Sequence, residues 1–282
     1  MATVLSGSQV AAAYSSALVE RVAVLESRGV SPTLAIVRVG AQEADMAYER
    51  GALSRCAKVG VSVRQYVLPE ETTQEALLRS IEEINQDKGI HGCLILQPLP
   101  RHIDAEAVRH ALAPAKDMDG ITDGSLAGVF SSRKIGYTPC TAQACLELLR
   151  HYNYSPAGKH AVVLGRSLVI GKPVAMLLLQ ENATVTICHS KTPDLAAVCR
   201  GANIVIAAVG SAGMVDGSYL SPGQVVVDVG INVDAQGNLA GDVNYAEAAP
   251  IVEALTPVPG GVGSVTTTIL ATHVVEAAER TL

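Results

Sequence analysis

The 282-residue chain contains no tryptophan, a single phenylalanine and few charged residues, which make up 17% of the sequence. It also lacks an unbroken apolar run of about 20 residues, the length that a membrane-spanning helix requires. The formal net charge of −6 argues against a protein that binds nucleic acid through a basic surface. Since 49% of the residues are apolar, too many for a disordered chain, the composition predicts a globular protein that binds neither membranes nor nucleic acid.

Disulfide and metal-binding patterns are also missing from the sequence. The six cysteines never approach a C-x-x-C spacing and the seven histidines are scattered, so we expect no metal site. In a chain of this length such cysteines predict reduced, buried thiols, which favours a cytoplasmic location. The first residues, MATVLSGSQV, do not join a charged segment to an apolar one, and we expect no signal peptide.

Hydrophobic periodicity divides the chain into two halves in which helices alternate with strands. The first half is predicted to contain helices over residues 8–28, 43–58 and 72–87 and the strands TLAIVRVG, VSVRQYVL and HGCLIL. The second half is predicted to contain helices over residues 140–152, 171–180, 193–200 and 263–282 and the strands KHAVVLG, ATVTICHS, NIVIAAVG and QVVVDVGI. A turn-rich stretch over residues 114–139 separates the halves. This alternation predicts an α/β protein with parallel sheets and right-handed crossovers.

The segment VVLGRSLVIGKP has the features of a phosphate-binding turn. A strand ends at Gly165 and a helix begins near Gly171, so backbone amides and the helix dipole would meet a pyrophosphate there. The spacing is G-x-S-x-x-x-G and not the usual G-x-G-x-x-G. The alternative is a tight turn in which glycine only permits close packing.

The strand that follows this turn bears on the choice of nucleotide. It ends in His189-Ser190-Lys191-Thr192 without a carboxylate to accept the ribose hydroxyls of NAD. Arg166 in the preceding turn offers a guanidinium for a phosphate. These residues favour NADP, with NAD as the alternative cofactor. A solvated polar loop that caps the next helix would explain the same segment without a ligand.

Several longer strings resemble the FolD-type methylenetetrahydrofolate dehydrogenase/cyclohydrolase family over nearly the whole chain. They are the helix that carries Tyr48, the P-L-P turn at 98–100, KDMDG at 116–120, GRSLVIGKP, CHSKT, VVDVGIN, GDV and TPVPGGVG. The resemblance implies two α/β domains around a cleft, the second of them a Rossmann-like NAD(P)-binding domain. The expected boundaries are 1–138 for the folate-binding catalytic domain, completed by a C-terminal helix at about 270–282, and 139–269 for the nucleotide-binding domain.

The resemblance also assigns site residues on the nucleotide side. Gly165, Arg166 and Ser167 occupy the family's pyrophosphate turn. Ser190 matches a position near the 2′-phosphate, and Ile231 matches one that contacts the nicotinamide end.

On the folate side the resemblance assigns a second group of residues. Tyr48 matches the tyrosine that lies against the folate, and Asp119 matches the carboxylate that hydrogen-bonds the pterin ring. These two are the expected catalytic residues. Pro98 in the P-L-P turn and the loop Pro259, Gly260, Gly261 and Val262 are expected to contact the substrate.

The chain departs from the family at two linked positions. Ala52 occupies the place of a lysine that lies one helical turn after the tyrosine, and Leu96 occupies the place of the glutamine that bonds this lysine. Gln97 is displaced by one residue, which in a strand directs its side chain to the opposite face. Two prolines of the family pattern are also replaced, by Ala142 and Ser264.

The resemblance therefore implies a 5,10-methylenetetrahydrofolate dehydrogenase that reduces NADP, with weak or absent cyclohydrolase activity. Arg55 and Lys58 on the Tyr48 helix are interpreted as part of a solvated face and not as replacements for the lysine. Two alternatives stay open: a fully bifunctional enzyme with an unrecognised acid–base group, and a non-catalytic protein that binds nucleotide or folate. The family also implies a homodimer formed through the nucleotide-binding domain.

Overall fold

The computed structural model of the protein describes residues 2–233 and 236–282. It contains two compact units. The six-strand unit comprises the N-terminal residues through Ala12 together with Thr141–Thr266, and the three-strand unit comprises Ala13–Cys140 together with Thr267–Leu282. The domain boundaries expected from the sequence, at 138/139 and at about residue 270, stay a prediction.

The strands of the described residues are β1 (Thr3–Val4), β2 (Thr33–Val39), β3 (Ser62–Leu68), β4 (Gly92–Ile95), β5 (His160–Leu164), β6 (Thr184–Cys188), β7 (Ile204–Ala207), β8 (Val225–Asp228), β9 (Asn232–Val233), β10 (Leu239–Ala240) and β11 (Ala254–Leu255). The helices are α1 (Gly7–Ser27), α2 (Glu43–Val59), α3 (Gln74–Gln86), α4 (Ala105–Ala111), α5 (Asp123–Ser131), α6 (Cys140–His151), α7 (Gly171–Gln180), α8 (Leu195–Arg200), α9 (Tyr245–Ala248) and α10 (Val262–Glu279). Short 3₁₀ turns cover Pro114–Lys116 and Gly217–Tyr219.

The six-strand unit is built on a parallel sheet in the order β1-β11-β8-β7-β5-β6. Apart from the half-buried His160 and the buried Asp228, the residues of its central strands β5, β7 and β8 are apolar and buried, as expected for strands covered on both faces. The chain passes from β5 to β6 on one side and returns to β7 on the other. The carboxyl ends of β5 and β7 therefore form the switch point at which open α/β sheets bind ligands.

The three-strand unit contains a parallel sheet in the order β3-β2-β4. α3 packs its buried residues Leu77, Ile81 and Ile84 into the core of this unit, and their spacing is that of one helical face. Its N-terminus is capped by Thr73, whose hydroxyl accepts a hydrogen bond from the Ala76 amide at 3.3 Å. These elements confirm the predicted α/β fold class and parallel strands.

The main differences from the sequence-based expectation lie between β4 and α6. The stretch 114–139 contains α5 in addition to turns, because Thr122 caps this nine-residue helix by accepting from the Ser125 amide. α4 was not predicted, since seven residues are too few for a clear hydrophobic period. It is stabilised by the side chain of Asp104, which accepts from the amides of Glu106 and Ala107 in the first turn of the helix.

All six cysteines are free and buried, which confirms the expected thiols. Across residues 2–233 and 236–282, no helix combines the length and the apolar character that a membrane crossing requires.

Candidate functional site

The turn between β5 and α7 brings backbone segments unusually close together. Gly165 adopts φ +112°, a conformation that favours glycine, and a Cβ atom there would lie 2.2 Å from the carbonyl oxygen of Ala208 at the end of β7. A Cβ atom at Gly171 would lie 2.3 Å from the carbonyl oxygen of Gly165. Both glycines are therefore required by the path of the chain at the switch point.

The segment between β5 and α7 carries the polar side chains of this site. The hydroxyl of Ser167 accepts hydrogen bonds from the amides of Ile170 and Gly171 at 3.1 and 3.4 Å. The side chains of Arg166 and Ser167 are exposed. An exposed guanidinium beside a helix N-terminus is suited to bind an anionic group.

The end of β6 lies at the same edge of the sheet, because the Gly165 amide donates to the carbonyl of Cys188 at 2.9 Å. After β6, the hydroxyl of Thr192 accepts from the His189 amide at 3.0 Å, and His189 Nδ1 accepts from the Lys191 amide at 3.1 Å. This compact turn leaves Ser190 and Lys191 exposed. Its hydroxyl and ammonium groups are therefore available to solvent or to a ligand.

A groove of about 240 Å³ lies at the carboxyl end of β8. Its lining includes Ile231, whose side chain is 69% exposed, and the predicted substrate loop 259–262. The loop is held by Gly7, which donates its amide to the carbonyl of Gly260 at 2.8 Å. A Cβ atom at Gly7 would lie 1.9 Å from the carbonyl oxygen of Gly261. The structure thus brings Ile231 and the loop together.

Two buried aspartates beneath this groove were not identified by the sequence reasoning. The carboxylate of Asp242 accepts four hydrogen bonds, of which three come from backbone amides after β7 and one from Asn232. The donors are Val209 N at 2.6 Å, Gly210 N at 3.1 Å, Ser211 N at 2.9 Å and Asn232 Nδ2 at 2.9 Å. Asp242 therefore connects the end of β7 to the segment that carries Ile231.

Asp228, at the end of β8, extends the same network. Its carboxylate accepts from the amides of Gly230, Asp242 and Val243 at 2.9 to 3.0 Å. Burial, opposed by these three amides, raises the pKa of Asp228 to about 6. The sequence did contain a signal for both residues. Asp228 ends the buried run VVVD and Asp242 lies within GDV, and a buried carboxylate needs hydrogen-bond donors such as these backbone amides.

In the three-strand unit, α2 supplies Tyr48 and the KDMDG segment supplies Asp119. Both side chains are partly exposed. Burial raises the pKa of the Asp119 carboxyl to about 7, assisted by the charge of Asp117 and opposed by a hydrogen bond with Cys140. Burial and the charge of Asp119 also raise the pKa of Tyr48 well above its usual value. The two predicted catalytic residues therefore lie close enough to interact electrostatically.

The backbone that precedes Asp119 is fixed by neighbouring polar groups. The carbonyl of Met118 accepts from His273 Nδ1 at 2.7 Å and from the Cys140 thiol at 3.1 Å. The carboxylate of Asp117, which is fully buried, accepts from the Thr122 amide at 2.8 Å and the Ser125 hydroxyl at 2.7 Å. These bonds hold the loop that presents Asp119.

The two positions at which we expect a departure from the family pattern are apolar and buried. Ala52 is 0% exposed and Leu96 is 5% exposed, whereas Gln97 and Pro98 are exposed. Of the basic residues further along α2, Arg55 donates to the Ser15 hydroxyl at 2.8 Å and Lys58 is exposed. Arg55 is therefore engaged in packing α2 against α1.

Two family models match the chain. The catalytic-domain model of the tetrahydrofolate dehydrogenase/cyclohydrolase family matches residues 5–119, and the NAD(P)-binding domain model of that family matches residues 139–282. A relative from Alkaliphilus oremlandii (strain OhILAs), named bifunctional protein FolD, is 47% identical over 277 residues, which cover 98% of this chain and 97% of the relative.

Solved structures give the same result. The bifunctional FolD methylenetetrahydrofolate dehydrogenase/cyclohydrolase from Campylobacter jejuni superposes with a TM-score of 0.98 at 34% identity, with 100% of both chains covered. The Trypanosoma brucei FolD, solved with NADP cofactor and an inhibitor, has a TM-score of 0.94 at 37% identity and covers 99% of this chain and 98% of its own. The chain therefore belongs to the tetrahydrofolate dehydrogenase/cyclohydrolase family.

Proposed function

We propose that the protein oxidises 5,10-methylenetetrahydrofolate to 5,10-methenyltetrahydrofolate with NADP as the hydride acceptor. The observation that carries this proposal is that the family match extends over both units while the residues expected on each side are retained. The names of the bifunctional relatives support the same reaction. A non-catalytic scaffold is disfavoured, because it would have no need for both sets of residues.

The six-strand unit has the features that NADP requires. The close approach of glycine backbone at the β5–α7 turn would admit a pyrophosphate, which Arg166 and the amides of α7 would bind. Ser190 and Lys191, which are exposed in a segment without a carboxylate at residues 189–192, would accept a 2′-phosphate. Ile231 would contact the nicotinamide ring, the group that supplies hydride-accepting chemistry. NAD would bind the same turn with fewer contacts.

On the folate side, Tyr48 would lie against the folate and Asp119 would hydrogen-bond the pterin ring. Pro98 and the loop 259–262 would complete the substrate contacts. During oxidation, the lone pair of a substrate nitrogen forms the C=N bond as the methylene hydride leaves. The protein therefore needs only to orient the two rings. Such orientation lowers the activation free energy by several kcal/mol and requires no acid–base group.

Hydrolysis of the methenyl product makes a different demand. Water must be activated and protons must move while the ring opens, which calls for a group of suitable pKa. Ala52 and Leu96 provide no such group, because both side chains are apolar, and both are buried. We propose that cyclohydrolase activity is weak or absent. Full bifunctionality is the second candidate, favoured by the names of the relatives.

The test is an assay of the purified protein with methylenetetrahydrofolate and either NADP or NAD, in which reduced nucleotide and methenyl product are followed separately. We expect reduced NADP and methenyl product to rise together, with the latter decaying at its uncatalysed rate. Methenyl product that never accumulates would identify the bifunctional enzyme. If neither nucleotide is reduced although both ligands bind, the scaffold alternative holds.

A double variant, Ala52→Lys with Leu96→Gln, examines the lost pair directly. We expect it to gain hydrolysis of added methenyl substrate, with Ala52→Lys alone gaining less because its amine lacks a partner. Lys58→Gln, on the exposed side of the same helix, serves as the matched control. A wild-type rate of hydrolysis that Lys58→Gln removes would contradict our interpretation of α2.

The homodimer formed through the nucleotide-binding domain and the cytoplasmic location stay predictions. Sedimentation of the purified protein measures the first, and fractionation of the source cells measures the second.

A further inference from the structure

A second cavity, of about 380 Å³, lies in the three-strand unit between the end of α3 and the end of α10. We call it the basic pocket and define it by Lys88, His91, Lys116, Tyr137 and Arg280, with an apolar lining that includes Ile90. Its volume is in the range of small-molecule sites. None of the residues that line it within the described chain is acidic, although the protein as a whole carries a net charge of −6.

The donors of this pocket are organised by contacts outside it. Lys116 Nζ donates to the carbonyls of Ile84 and Asp87, which anchors the ammonium at the end of α3 and leaves one of its three protons for a ligand. His91 Nδ1 accepts from the Thr33 amide at 3.2 Å, so the neutral ring carries its proton on Nε2. Burial and the charge of Lys116 lower the pKa of His91, which keeps that ring a neutral donor.

A buried hydroxyl provides an independent indication of a ligand. Tyr137 is 5% exposed, and its hydroxyl lacks a hydrogen-bond partner among the described residues. Buried hydroxyls normally form hydrogen bonds. The Tyr137 hydroxyl therefore retains hydrogen-bonding capacity in a residue that lines the cavity. The guanidinium of Arg280 lies 4.7 Å from the centre of the Tyr137 ring.

The nearest acids, Asp87 and Glu276, divide their interactions between the cations of the pocket and cations outside it. The carboxylate of Asp87 accepts from Arg64 at 2.6 Å and from the Gly89 amide at 2.7 Å. Glu276, on the last turn of α10, interacts with Arg21 and Lys134 as well as with Arg280. The ammonium of Lys88 and the guanidinium of Arg280 are both exposed at the mouth of the pocket. An anion would therefore meet cationic groups from three separate segments.

We propose that the basic pocket is a binding site for a phosphoryl group, held by Lys88, Lys116 and Arg280. Cationic donors from several directions suit a compact anion with several acceptor oxygens. The apolar lining would contact an organic substituent, so a phosphorylated small molecule would bind more tightly than inorganic phosphate.

The pocket is connected to the loop of Asp119. Lys116 begins the KDMDG segment, and the ring of Tyr137 packs at 4.9 Å against His273, which bonds the Met118 carbonyl. A bound anion would therefore restrain the backbone on both sides of Asp117. An effect of phosphate on folate turnover rests on the proposed function, whereas binding does not.

The test is equilibrium dialysis with radiolabelled inorganic phosphate at constant ionic strength. We expect the double variant Lys88→Gln with Arg280→Gln to weaken binding about ten-fold or more. Lys159→Gln, a matched exposed lysine in the six-strand unit, should leave binding unchanged. Arg166→Gln distinguishes phosphate bound at the β5–α7 turn from phosphate bound in the basic pocket. We expect this variant to retain binding in the basic pocket. The double variant is therefore also measured in the Arg166→Gln background, where binding that survives it would overturn the proposal, as would the loss of all binding in Arg166→Gln alone.

Fluorescence gives the location of the bound anion, because the chain contains no tryptophan. The variant Thr281→Trp places a single reporter at the rim of the pocket, where Thr281 is exposed. We expect phosphate, and not chloride, to change its emission, and phenyl phosphate to act at lower concentration than phosphate. Equal potency would identify free phosphate as the occupant. A chloride response of the same size would contradict the site.

Discussion

At the scale of single residues, Asp119 has the most unusual environment among the predicted site residues. Its carboxyl is partly shielded from water and lies near the charge of Asp117, and both effects favour the protonated form. A pKa of about 7 means that the group changes charge within the working range of an enzyme. Since a carboxylate accepts hydrogen bonds from a pterin ring, its ionised form is the one expected to bind substrate.

This predicts a pH dependence of folate use. The value of kcat/KM for methylenetetrahydrofolate should rise with pH through about 7 and then level off, because the fraction of ionised Asp119 rises. The measurement is a pH series of initial rates at saturating NADP. Asp119→Asn should lower kcat/KM strongly and remove the step near 7, while Asp119→Ala should abolish turnover. A step near 7 that persists in Asp119→Asn would assign it to another group.

The same shift has a consequence for stability. The folded-state pKa of Asp119 lies above the unfolded value, so the folded state binds more protons between about pH 4 and 7. Its contribution therefore favours folding at low pH and is lost as the pH rises through 7. As the pH rises from about 4 to 7, we expect the unfolding free energy of the wild type to fall relative to that of Asp119→Asn.

At the scale of elements, the buried carboxylate of Asp242 joins three segments. It binds the amides after β7 and the side chain of Asn232, and its own amide donates to Asp228. The β7–β8 and β9–β10 pairings end next to these segments, and the hydrogen bonds of the Asp242 carboxylate fix the backbone beyond them. We interpret Asp242 as a positioning residue for the groove that contains Ile231.

Asp242→Asn should therefore impair the nucleotide side. An amide group has one acceptor oxygen and would direct its own N–H at donors, which leaves buried amides unpaired at a cost of about 2 kcal/mol. We expect the KM for NADP to rise at least as much as kcat falls, while the KM for folate changes less. Steady-state kinetics with each substrate varied measures this difference. Asp104→Asn, the same substitution at the exposed N-cap of α4, is the control, because asparagine caps a helix as well as aspartate does. Equal changes in both KM values would indicate general unfolding.

Gly7 at the start of α1 determines the position of the 259–262 loop. In Gly7→Ala the new Cβ atom would overlap the carbonyl of Gly261, and overpacking of this kind costs about 1–3 kcal/mol. We expect a lower melting temperature and reduced kcat/KM for folate. The matched variant is Gly201→Ala, where φ is −81° and the nearest atom would lie at 3.6 Å, an ordinary contact. Similar losses in both variants would contradict the steric argument.

At the scale of the whole molecule, cofactor preference should be visible as stabilisation. A ligand present at about 100 times its Kd stabilises the folded state by about 2.7 kcal/mol. We expect NADP to raise the melting temperature more than NAD at equal concentration, because the 2′-phosphate meets cationic and hydroxyl groups after β6. Arg166→Gln with Ser190→Ala should reduce this difference, and Lys159→Gln should preserve it. Equal stabilisation by both nucleotides would refute the preference for NADP.

Short stretches of the sequence are enough to predict most of the longer helices and strands of this molecule. The buried runs of β5, β7 and β8 and the apolar face of α3 predict parallel α/β structure, because side-chain period follows backbone geometry. Gly165 and Gly171 similarly mark the turn between a strand and a helix. Short elements such as α4 and the two-residue strands escape this reasoning, since they depend on caps and pairing partners distant in the chain.

The sequence by itself therefore determined the fold class and the family resemblance, and it carries the prediction that Ala52 and Leu96 replace a lysine and a glutamine of the family. Only the tertiary structure decided that Asp228 and Asp242 share one network, that Asp119 has a raised pKa and that cationic residues surround Tyr137. The physical reason is that hydrogen bonding, burial and charge proximity depend on distances in space. Residues that lie far apart along the chain acquire those distances only when it folds.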